Sequence, residues 1–219
     1  ASLEGESKKV TTPSGEYPCR AFLLANGVKR RTLGCPGEEE FTGRGVSYCA
    51  TCDGAFFRGK HVVVVGGGNT ALEDALFLAN LCERVTIVHR RNAFTAQKTL
   101  VDAVSSRKNI DILWNTTVTA IEGDKKVERV QLNHAGEQKP FSADAVFIAI
   151  GLIPDNQAFE TLGLDEQGYV LAGEDCQTRL PGVFAAGDTR SKEVRQIITA
   201  AADGAIAATM AAHLLNRNR

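Results

Sequence analysis

The amino-acid sequence predicts an α/β protein with a parallel sheet, and three observations support that fold class. His61–Val65 is a short, unbroken run of strand-forming residues that ends in three glycines. The residues that follow place apolar side chains at helical spacing, and Arg84–Val88 is predicted to be a second strand. A strand, a glycine turn, a helix and a strand within about thirty residues make a βαβ unit, whose two strands pair in parallel.

The remaining elements follow from the same periodicities and from turn residues. Residues 16–27 are predicted to form a strand that ends at Gly27, and the basic, Pro- and Gly-containing stretch 28–45 a linker or surface loop. Beyond the βαβ unit the sequence predicts, in chain order, a helix near Ala96–Ser105, strands at Ile110–Ile121, Lys126–Leu132 and Ala145–Ile150, and a helix at Gln196–Leu215. The small residues of the last helix predict close packing against another backbone.

The composition excludes several classes of function. The 219 residues are 43% hydrophobic and 23% charged, with a formal net charge of −1, so nucleic acid and anionic membranes are not expected partners. The longest apolar runs, Val62–Val65 and Ala145–Ile150, are much shorter than a membrane span, and the polar segment 1–12 lacks the apolar centre of a signal peptide. Six cysteines are too few for a secreted disulfide scaffold of this length, so we expect a reducing cytoplasm.

The loop GGGNTA after the first strand matches the dinucleotide-binding pattern G-x-G-x-x-A. Gly66 permits the tight turn, Gly68 lets the backbone approach a pyrophosphate, and the small Ala71 lets the helix pack against the strand. Glycine-rich turns also occur without a ligand, but here a strand precedes the loop and a helix follows it. We therefore predict a Rossmann-like, three-layer domain whose nucleotide site includes Gly66, Gly67, Gly68, Asn69 and Thr70, with Ile150 and Gly151.

The end of the second strand indicates which dinucleotide binds. An NAD site usually has an acidic residue about twenty positions past the loop, where it bonds the ribose hydroxyls. This sequence instead has His89-Arg90-Arg91, starting twenty-three residues after Gly66. Two guanidinium groups suit the dianionic 2′-phosphate of NADPH, although a solvated basic strand end is the alternative. We assign all three residues to an NADPH site.

The pair Cys49-Ala50-Thr51-Cys52 has three interpretations. Half of a zinc site would need a second ligand pair at matching spacing, which the scattered cysteines and histidines do not supply, so no metal is expected. The second interpretation is that two structural cysteines lie near each other by chance. The third, a redox dithiol, is favoured because such a pair cycles between thiols and a disulfide. Asp53 follows directly, and its carboxyl group is a candidate acid for a leaving thiolate.

The chain resembles the low-molecular-weight thioredoxin reductases over essentially its whole length, through five motifs in one order: CATCDG, GGGNTA, HRR, GVFAAGD and RQIITAAADG. The resemblance implies an oxidoreductase, a flavoprotein that is homodimeric when intact. It would pass electrons from NADPH through FAD to the Cys-x-x-Cys disulfide, and from the dithiol to thioredoxin.

The resemblance also implies residue roles. Cys52 would face the flavin, Cys49 would attack the disulfide of thioredoxin, and Asp53 would be the acid. For FAD it implies contacts from two further segments: Gly187 and Asp188 near the sugar and phosphates, and Arg195, Gln196 and Ile197 near the isoalloxazine ring.

Two departures from the family pattern matter. The family has a second glycine loop, for the ADP half of FAD, and this sequence contains only the loop at Gly66. We therefore expect a fragment, with a complete NADPH-binding domain at 30–152 between FAD-domain segments 1–29 and 153–219. Such a chain would bind NADPH but not stoichiometric FAD. The other departure is Thr95, where the family often has a third basic residue, and it weakens the phosphate clamp without removing it.

Two alternative functions stay open on the sequence. One is a flavin-dependent reductase that serves a peroxidase, although that relative usually has other residues between its cysteines and lacks the double Arg. The other is a non-catalytic NADPH-binding or redox-sensing module, which the single glycine loop keeps in consideration.

Overall fold

The computed structural model describes residues 2–5 and 7–217, with the backbone alone at position 217. The chain divides into two compact units. Arg31–Gly151 form one, here called the insert unit, and the residues up to Arg30 together with those from Leu152 onward form the other, called the flanking unit.

In the described part of the chain the strands are, in order, β1 (Lys8–Thr12), β2 (Gly15–Cys19), β3 (Phe22–Leu24), β4 (Val28–Arg30), β5 (Val46–Ser47), β6 (His61–Gly66), β7 (Arg84–Val88), β8 (Ile110–Leu113), β9 (Thr116–Gly123), β10 (Val127–His134), β11 (Glu137–Ser142), β12 (Ala145–Ala149), β13 (Leu152–Pro154) and β14 (Val183–Ala185). The α-helices are α1 (Ala50–Asp53), α2 (Asn69–Ala79), α3 (Lys98–Ser105) and α4 (Ile197–Arg217). Short 3-10 helices lie at Gly54–Phe57, Gln157–Leu162 and Gly187–Thr189.

The insert unit has three layers around a five-stranded parallel sheet of order β5-β12-β6-β7-β8. Successive side chains of a strand point to opposite faces, and β6 shows this directly. Val62 and Val64 pack in one apolar cluster with α2 and α3, whereas Val63 and Val65 pack in a second cluster with the antiparallel sheet β9-β10-β11. Both faces of the central sheet are therefore covered, which is why its strands are almost continuously apolar.

The predicted βαβ unit is confirmed as β6-α2-β7, and β7 has the predicted bounds. Two strand predictions are wrong in extent, and the first is Ile110–Ile121, which forms two strands. Asn115 adopts a left-handed conformation with φ 52°, so the chain turns and leaves the parallel sheet after β8. β9 then joins the antiparallel sheet. The predicted strand 16–27 is likewise split, into β2 and β3.

The flanking unit contains three two-stranded sheets: the hairpin β1-β2, the antiparallel pair β13-β4 and the parallel pair β14-β3. Its larger apolar cluster includes Leu24, Leu162 and Val183, all buried. A second cluster joins Phe184 of β14 to Ala207 of α4, whose small side chain is fully buried. This contact is the close packing that the alanine-rich sequence predicted.

Helix α4 is unusually apolar. Its stretch Ile197–Asn216 is long and apolar enough, by length and composition alone, to cross a membrane, and little of it is buried in the structure. Its polar residue Asp203 is nevertheless buried and paired with Arg190 and Lys192. Those ion pairs and the burial of Ala207 attach the helix to its own unit.

Candidate active site

The Cys-x-x-Cys pair forms the disulfide that the sequence predicted. Cys49 and Cys52 are bonded across the single turn of α1, with their Cα atoms 5.3 Å apart. Cys49 caps the helix, because its Sγ accepts the backbone N–H of Cys52 at 3.2 Å. Cys52 is exposed and Cys49 is partly exposed within the described chain. A disulfide at this place is accessible to another molecule.

Ser47, two residues before the first cysteine, links the backbone of Cys49 to Asp53. Ser47, at the end of β5, donates its hydroxyl proton to Oδ2 of Asp53 at 2.6 Å and accepts the backbone N–H of Cys49 at 3.1 Å. Ser47 is buried, with only 4% of its surface exposed. Sequence reasoning did not identify Ser47. The available signal was a polar residue directly after an apolar strand end and two positions before the first cysteine.

A second set of hydrogen bonds close to Cys49 comes from the segment 28–45, which was predicted to be a linker or surface loop. Glu38 is buried, and its carboxylate accepts hydrogen bonds from the backbone N–H groups of Leu33 and Gly34 and from the hydroxyl of Tyr48 at 2.8 Å. Tyr48 immediately precedes Cys49. The prediction of a linker or surface loop for 28–45 is wrong at its start, where Val28–Arg30 form β4, whereas the rest of the segment is loop and turn as predicted. Glu38 is buried within that loop because its carboxylate bonds backbone N–H groups and Tyr48.

A cavity of about 270 Å³ lies next to Asp53. Its wall combines the charged residues Arg44, Asp53, Lys126 and Asp144 and the aromatic residues Phe56 and Phe57 with Gly43, Gly45, Val46 and Ser47. Phe56 is 82% exposed, an unusual position for a large apolar ring. Asp53 thus both accepts a hydrogen bond from Ser47 and lines this cavity.

The three glycines of the nucleotide loop differ in what surrounds them. A Cβ atom at Gly66 would lie 2.4 Å from the carbonyl oxygen of Ala149, and one at Gly67 would lie 2.2 Å from the His89 ring. Among the described residues, the one atom within 4 Å of a Cβ at Gly68 would be Thr95 Oγ1, at 3.9 Å. Packing within the protein thus requires the first two glycines. Gly68 leaves one side of the backbone clear at the start of α2, as a bound pyrophosphate needs.

Hydrogen bonds from the segment after β7 fix the glycine loop. Thr95 donates to the carbonyl oxygen of Gly67 twice, from its backbone N–H at 2.9 Å and its hydroxyl at 3.2 Å. Gln97 N–H donates to Oδ1 of Asn69 at 2.8 Å. Thr95, which departs from the family pattern, therefore fastens the loop instead of adding a charge. Asn69 uses its amide oxygen in the same attachment.

The predicted nucleotide residues follow neighbouring strands at one edge of the sheet. β6, which pairs with both β7 and β12, leads into the glycine loop. Arg90 and Arg91 follow β7 and are exposed, and Ile150 and Gly151 follow β12. His89 differs from its two neighbours, since its ring is buried under Gly67 and bonds the carbonyl oxygen of Ala93 at 3.0 Å. The buried His89 ring thus packs against the glycine loop.

In the flanking unit the predicted flavin residues lie at and after the end of β14. Gly187 has φ 79°, and within the described chain Oδ1 of Asp188 is buried without a hydrogen-bond partner. Arg195 stacks over the Tyr169 ring at 3.9 Å and donates to the carbonyl oxygen of Asp188 at 3.4 Å. Ile197 is 90% exposed. A buried carboxylate oxygen with no partner fits a ligand that brings a hydroxyl donor.

Asp203 of α4 holds the same turn from its other side. Its carboxylate accepts from Gly187 N–H at 3.0 Å, Lys192 Nζ at 2.9 Å and Arg190 at 2.8 Å and 3.2 Å. Burial raises the pKa of Asp203, but the hydrogen bonds from Arg190 and Lys192 outweigh burial and lower the pKa to about 2. The sequence analysis missed this residue, although an acidic side chain within an apolar helix was a visible signal.

Comparison with known proteins agrees with this geometry. The family model described as pyridine nucleotide-disulphide oxidoreductase matches residues 2–204. Thioredoxin reductase of Listeria innocua is 48% identical over 206 residues, which are 92% of this chain and 65% of that protein. Thioredoxin reductase of Treponema pallidum is 45% identical over 209 residues, 94% of this chain and 68% of that protein.

Among solved structures, thioredoxin reductase from Streptococcus pyogenes is similar to 97% of this chain with a TM-score of 0.92 and 40% identity, and the match covers 71% of that protein. The chain thus spans about two thirds of the length of the relatives it matches. The motif order, the disulfide and these matches lead to one conclusion: the chain belongs to the pyridine nucleotide-disulphide oxidoreductases and, among them, to the thioredoxin reductases.

Proposed function

We propose that the chain contributes the NADPH site and the redox dithiol of a thioredoxin-disulfide reductase. Electrons from NADPH would reach the Cys49–Cys52 disulfide through FAD, and the resulting dithiol would reduce thioredoxin. The observation that carries the proposal is the accessible disulfide together with Asp53, whose carboxyl group is bonded by the same Ser47 hydroxyl that accepts the backbone N–H of Cys49. A purely structural disulfide has no need of such an acid.

NADPH would be held by the residues at the carboxyl edge of the parallel sheet. Gly68 and the first turn of α2 would receive the pyrophosphate, because the backbone there is free of side-chain bulk and the helix N-terminus favours negative charge. Arg90 and Arg91 would bind the 2′-phosphate. The insert unit, Arg31–Gly151, would be the NADPH-binding domain.

FAD would be held by Gly187, Asp188 and the start of α4. The unpartnered oxygen of Asp188 supports this, since it needs a hydrogen-bond donor, and Arg195, Gln196 and Ile197 would lie near the ring. When bound, FAD supplies the step between hydride transfer from a nicotinamide and two-electron opening of a disulfide. In this chain, Asp203 fixes the position of the Gly187 backbone that precedes the flavin-binding carboxylate.

The dithiol would act by thiol–disulfide exchange. The Cys49 thiolate would attack the disulfide of thioredoxin, and Cys52 would then attack the mixed disulfide and release reduced thioredoxin. Asp53 would protonate the departing thiolate. The exposure of Cys52, Thr51 and Phe56 around the disulfide suits a protein as large as thioredoxin, which must reach the sulfurs from solvent.

The proposal also includes a cytoplasmic enzyme that is homodimeric when intact and binds neither nucleic acid nor membrane. The formal net charge of −1 supports the absence of a polyanionic partner. Four further cysteines, Cys19, Cys35, Cys82 and Cys176, are free thiols, in keeping with a reducing compartment.

A single-turnover experiment tests the proposed reaction on the chain itself. The disulfide is reduced chemically, the reductant is removed, and the chain is mixed with oxidised thioredoxin or with an oxidised peroxidase. We expect one thioredoxin disulfide to be reduced per chain and the peroxidase to react much more slowly. A faster reaction with the peroxidase would indicate that the peroxidase, and not thioredoxin, is the substrate. Reaction with neither would favour a nucleotide-binding module without this activity.

A further inference from the structure

The hydroxyl of Ser47 has one proton and two nearby acceptors. Oδ2 of Asp53 lies 2.6 Å from Ser47 Oγ, and the carbonyl oxygen of Cys49 lies 3.3 Å from it. The bond to the carboxylate is shorter and charge-assisted, so the proton goes to Asp53. The oxygen of the same hydroxyl accepts the backbone N–H of Cys49. Ser47 thereby ties the carboxyl group of Asp53 to the backbone of the cysteine that caps α1.

The hydrogen bond from Ser47 occupies one oxygen of the Asp53 carboxyl group. Oδ2 accepts the proton of the buried Ser47 hydroxyl, and Asp53 also lines the cavity described above. A carboxyl group that is held at one oxygen can carry an exchangeable proton on the other without rotating. Loss of the hydroxyl would leave the Cys49 N–H and Asp53 Oδ2 without this shared partner and would free the carboxyl group to turn.

We propose that Ser47 is a positioning residue for proton transfer during thiol–disulfide exchange, in that it holds Asp53 so that Oδ1 delivers the proton. This inference rests on the proposed function and deepens it.

In the first step, the Asp53 carboxylate takes the proton of the Cys49 thiol on Oδ1. The Cys49 thiolate forms a bond to one sulfur of the substrate disulfide, the substrate S–S bond breaks, and the departing thiolate takes the proton from Oδ1. In the second step, Asp53 takes the proton of the Cys52 thiol in the same way. The Cys52 thiolate attacks the Cys49 sulfur, the Cys49–Cys52 bond forms, and the second substrate sulfur leaves and takes that proton. Two electrons and two protons have then passed from the dithiol to the substrate, so the exchange balances without another reactant.

A purely structural role for Ser47 makes a different prediction from a positioning role. If Ser47 only shaped the Cys49 loop, its loss would slow attack on every disulfide to the same degree. If it positions the acid, its loss matters only where the departing thiolate needs a proton. Aromatic thiolates leave readily without one, because their thiols are acidic, whereas alkyl thiolates do not.

The test uses the purified 219-residue chain, chemically reduced and freed of reductant, in rapid-mixing experiments at one pH. The substrates are 5,5′-dithiobis(2-nitrobenzoate), which releases an aromatic thiolate, and oxidised glutathione, which releases an alkyl thiolate. The variants are Ser47→Ala, Ser47→Thr, Asp53→Asn and the Ser47→Ala/Asp53→Asn double variant. Threonine keeps the hydroxyl and suits a strand, so it is the matched control.

Ser47→Ala should slow the reaction with oxidised glutathione about tenfold and leave the aromatic disulfide within about twofold of the wild-type rate. Ser47→Thr should restore the glutathione rate, and the double variant should be no slower than Asp53→Asn. Equal slowing with both substrates, or no slowing with either, would overturn the proposal. Oxidised thioredoxin, run in parallel, tests the proposed substrate separately, because a chain that reduces glutathione but not thioredoxin contradicts only the proposed function.

Discussion

Two loops in this molecule follow parallel strands and carry glycines, but they differ in whether a buried polar group is left without a partner. The loop after β6 is held by its own chain, since the His89 ring packs against Gly67 and Thr95 donates two hydrogen bonds to it. The turn after β14 is held by Asp203, which bonds Gly187 N–H, and by Arg195, which bonds the carbonyl oxygen of Asp188. Within the described chain, however, Oδ1 of Asp188 is buried without a hydrogen-bond partner.

The difference indicates how each loop would meet a ligand. The first loop is already formed by protein contacts, so a nucleotide would find its shape ready. The second has an unsatisfied acceptor, and an unsatisfied buried group costs free energy that a ligand donor would recover. We therefore expect the insert unit to bind its nucleotide independently, and the flanking turn to depend on the other contacts that a flavin makes.

The largest effect should come from the disulfide. Cys49→Ser and Cys52→Ser should each abolish the stoichiometric reduction of thioredoxin by the prereduced chain, because turnover needs one sulfur to attack and the other to resolve. NADPH binding should be unchanged in both variants, as measured by calorimetric titration. Thioredoxin reduction at near the wild-type rate in either variant would refute the dithiol mechanism.

Next in size is the preference for NADPH. Arg90→Ala/Arg91→Ala should weaken NADPH binding by about 3 kcal/mol or more, since charge-assisted hydrogen bonds contribute about 1.5–3 kcal/mol each, and NADH binding should barely change. Arg84→Ala is the matched control, because Arg84 begins the same strand but pairs with Asp111 at 2.6 Å. Equal losses of affinity for NADPH and NADH would refute the assignment of Arg90 and Arg91 to the 2′-phosphate.

Asp203 should dominate the stability of the flanking turn. Asp203→Asn should lower the free energy of unfolding by about 3 kcal/mol, since it leaves Arg190 and Lys192 without their buried counter-charge. Asp111→Asn, which breaks an exposed ion pair, should cost less than about 1 kcal/mol. Urea denaturation measures both, and equal costs would show that burial of the Asp203 cluster is unimportant.

The same residue predicts a pH dependence with a defined sign. The pKa of Asp203 is depressed from 3.8 to about 2 in the folded chain, so its stabilisation is complete above about pH 4 and is lost as the pH falls toward 2. The Asp203→Asn variant should show a smaller loss of stability over that interval than the wild type.

The smallest expected effect separates the glycines of the first loop. Gly67→Ala should destabilise the insert unit by about 1–3 kcal/mol, because its methyl group would overlap the buried His89 ring. Gly68→Ala should leave stability nearly unchanged, since space is open there, and should weaken NADPH binding. Thermal unfolding with and without NADPH distinguishes the two. Unaltered NADPH affinity in Gly68→Ala would place the pyrophosphate elsewhere.

The sequence predicted local features well where one period or one motif determined them. The apolar run at β6, the glycines and the helical spacing of α2 specify the βαβ unit with little help from the rest of the chain. The break at Asn115 was not predictable in this way, because apolar residues continue on both sides and only the left-handed turn sends β9 to another sheet.

Residues that act through distant partners were harder to find. Ser47 bonds Asp53 only because α1 brings Asp53 back to it, and Asp203 bonds Gly187 only because α4 packs against the Gly187 turn. Thr95 was predicted to weaken a phosphate site, whereas its visible contacts hold the glycine loop. Side-chain partners of this kind depend on tertiary packing, which neither spacing nor composition encodes directly.

The central claim has two parts. The glycine loop after β6 binds its nucleotide in the shape that it already has, and the turn after β14 does not bind flavin tightly with the contacts that it has in this chain. Parallel titrations of the purified chain with NADPH, NADH and FAD test it most directly, by calorimetry for the nicotinamide nucleotides and by flavin fluorescence for FAD. The account predicts measurable NADPH binding, clearly weaker NADH binding and no stoichiometric FAD complex. A tight one-to-one FAD complex that NADPH then bleaches, or a chain that binds no NADPH, would contradict it.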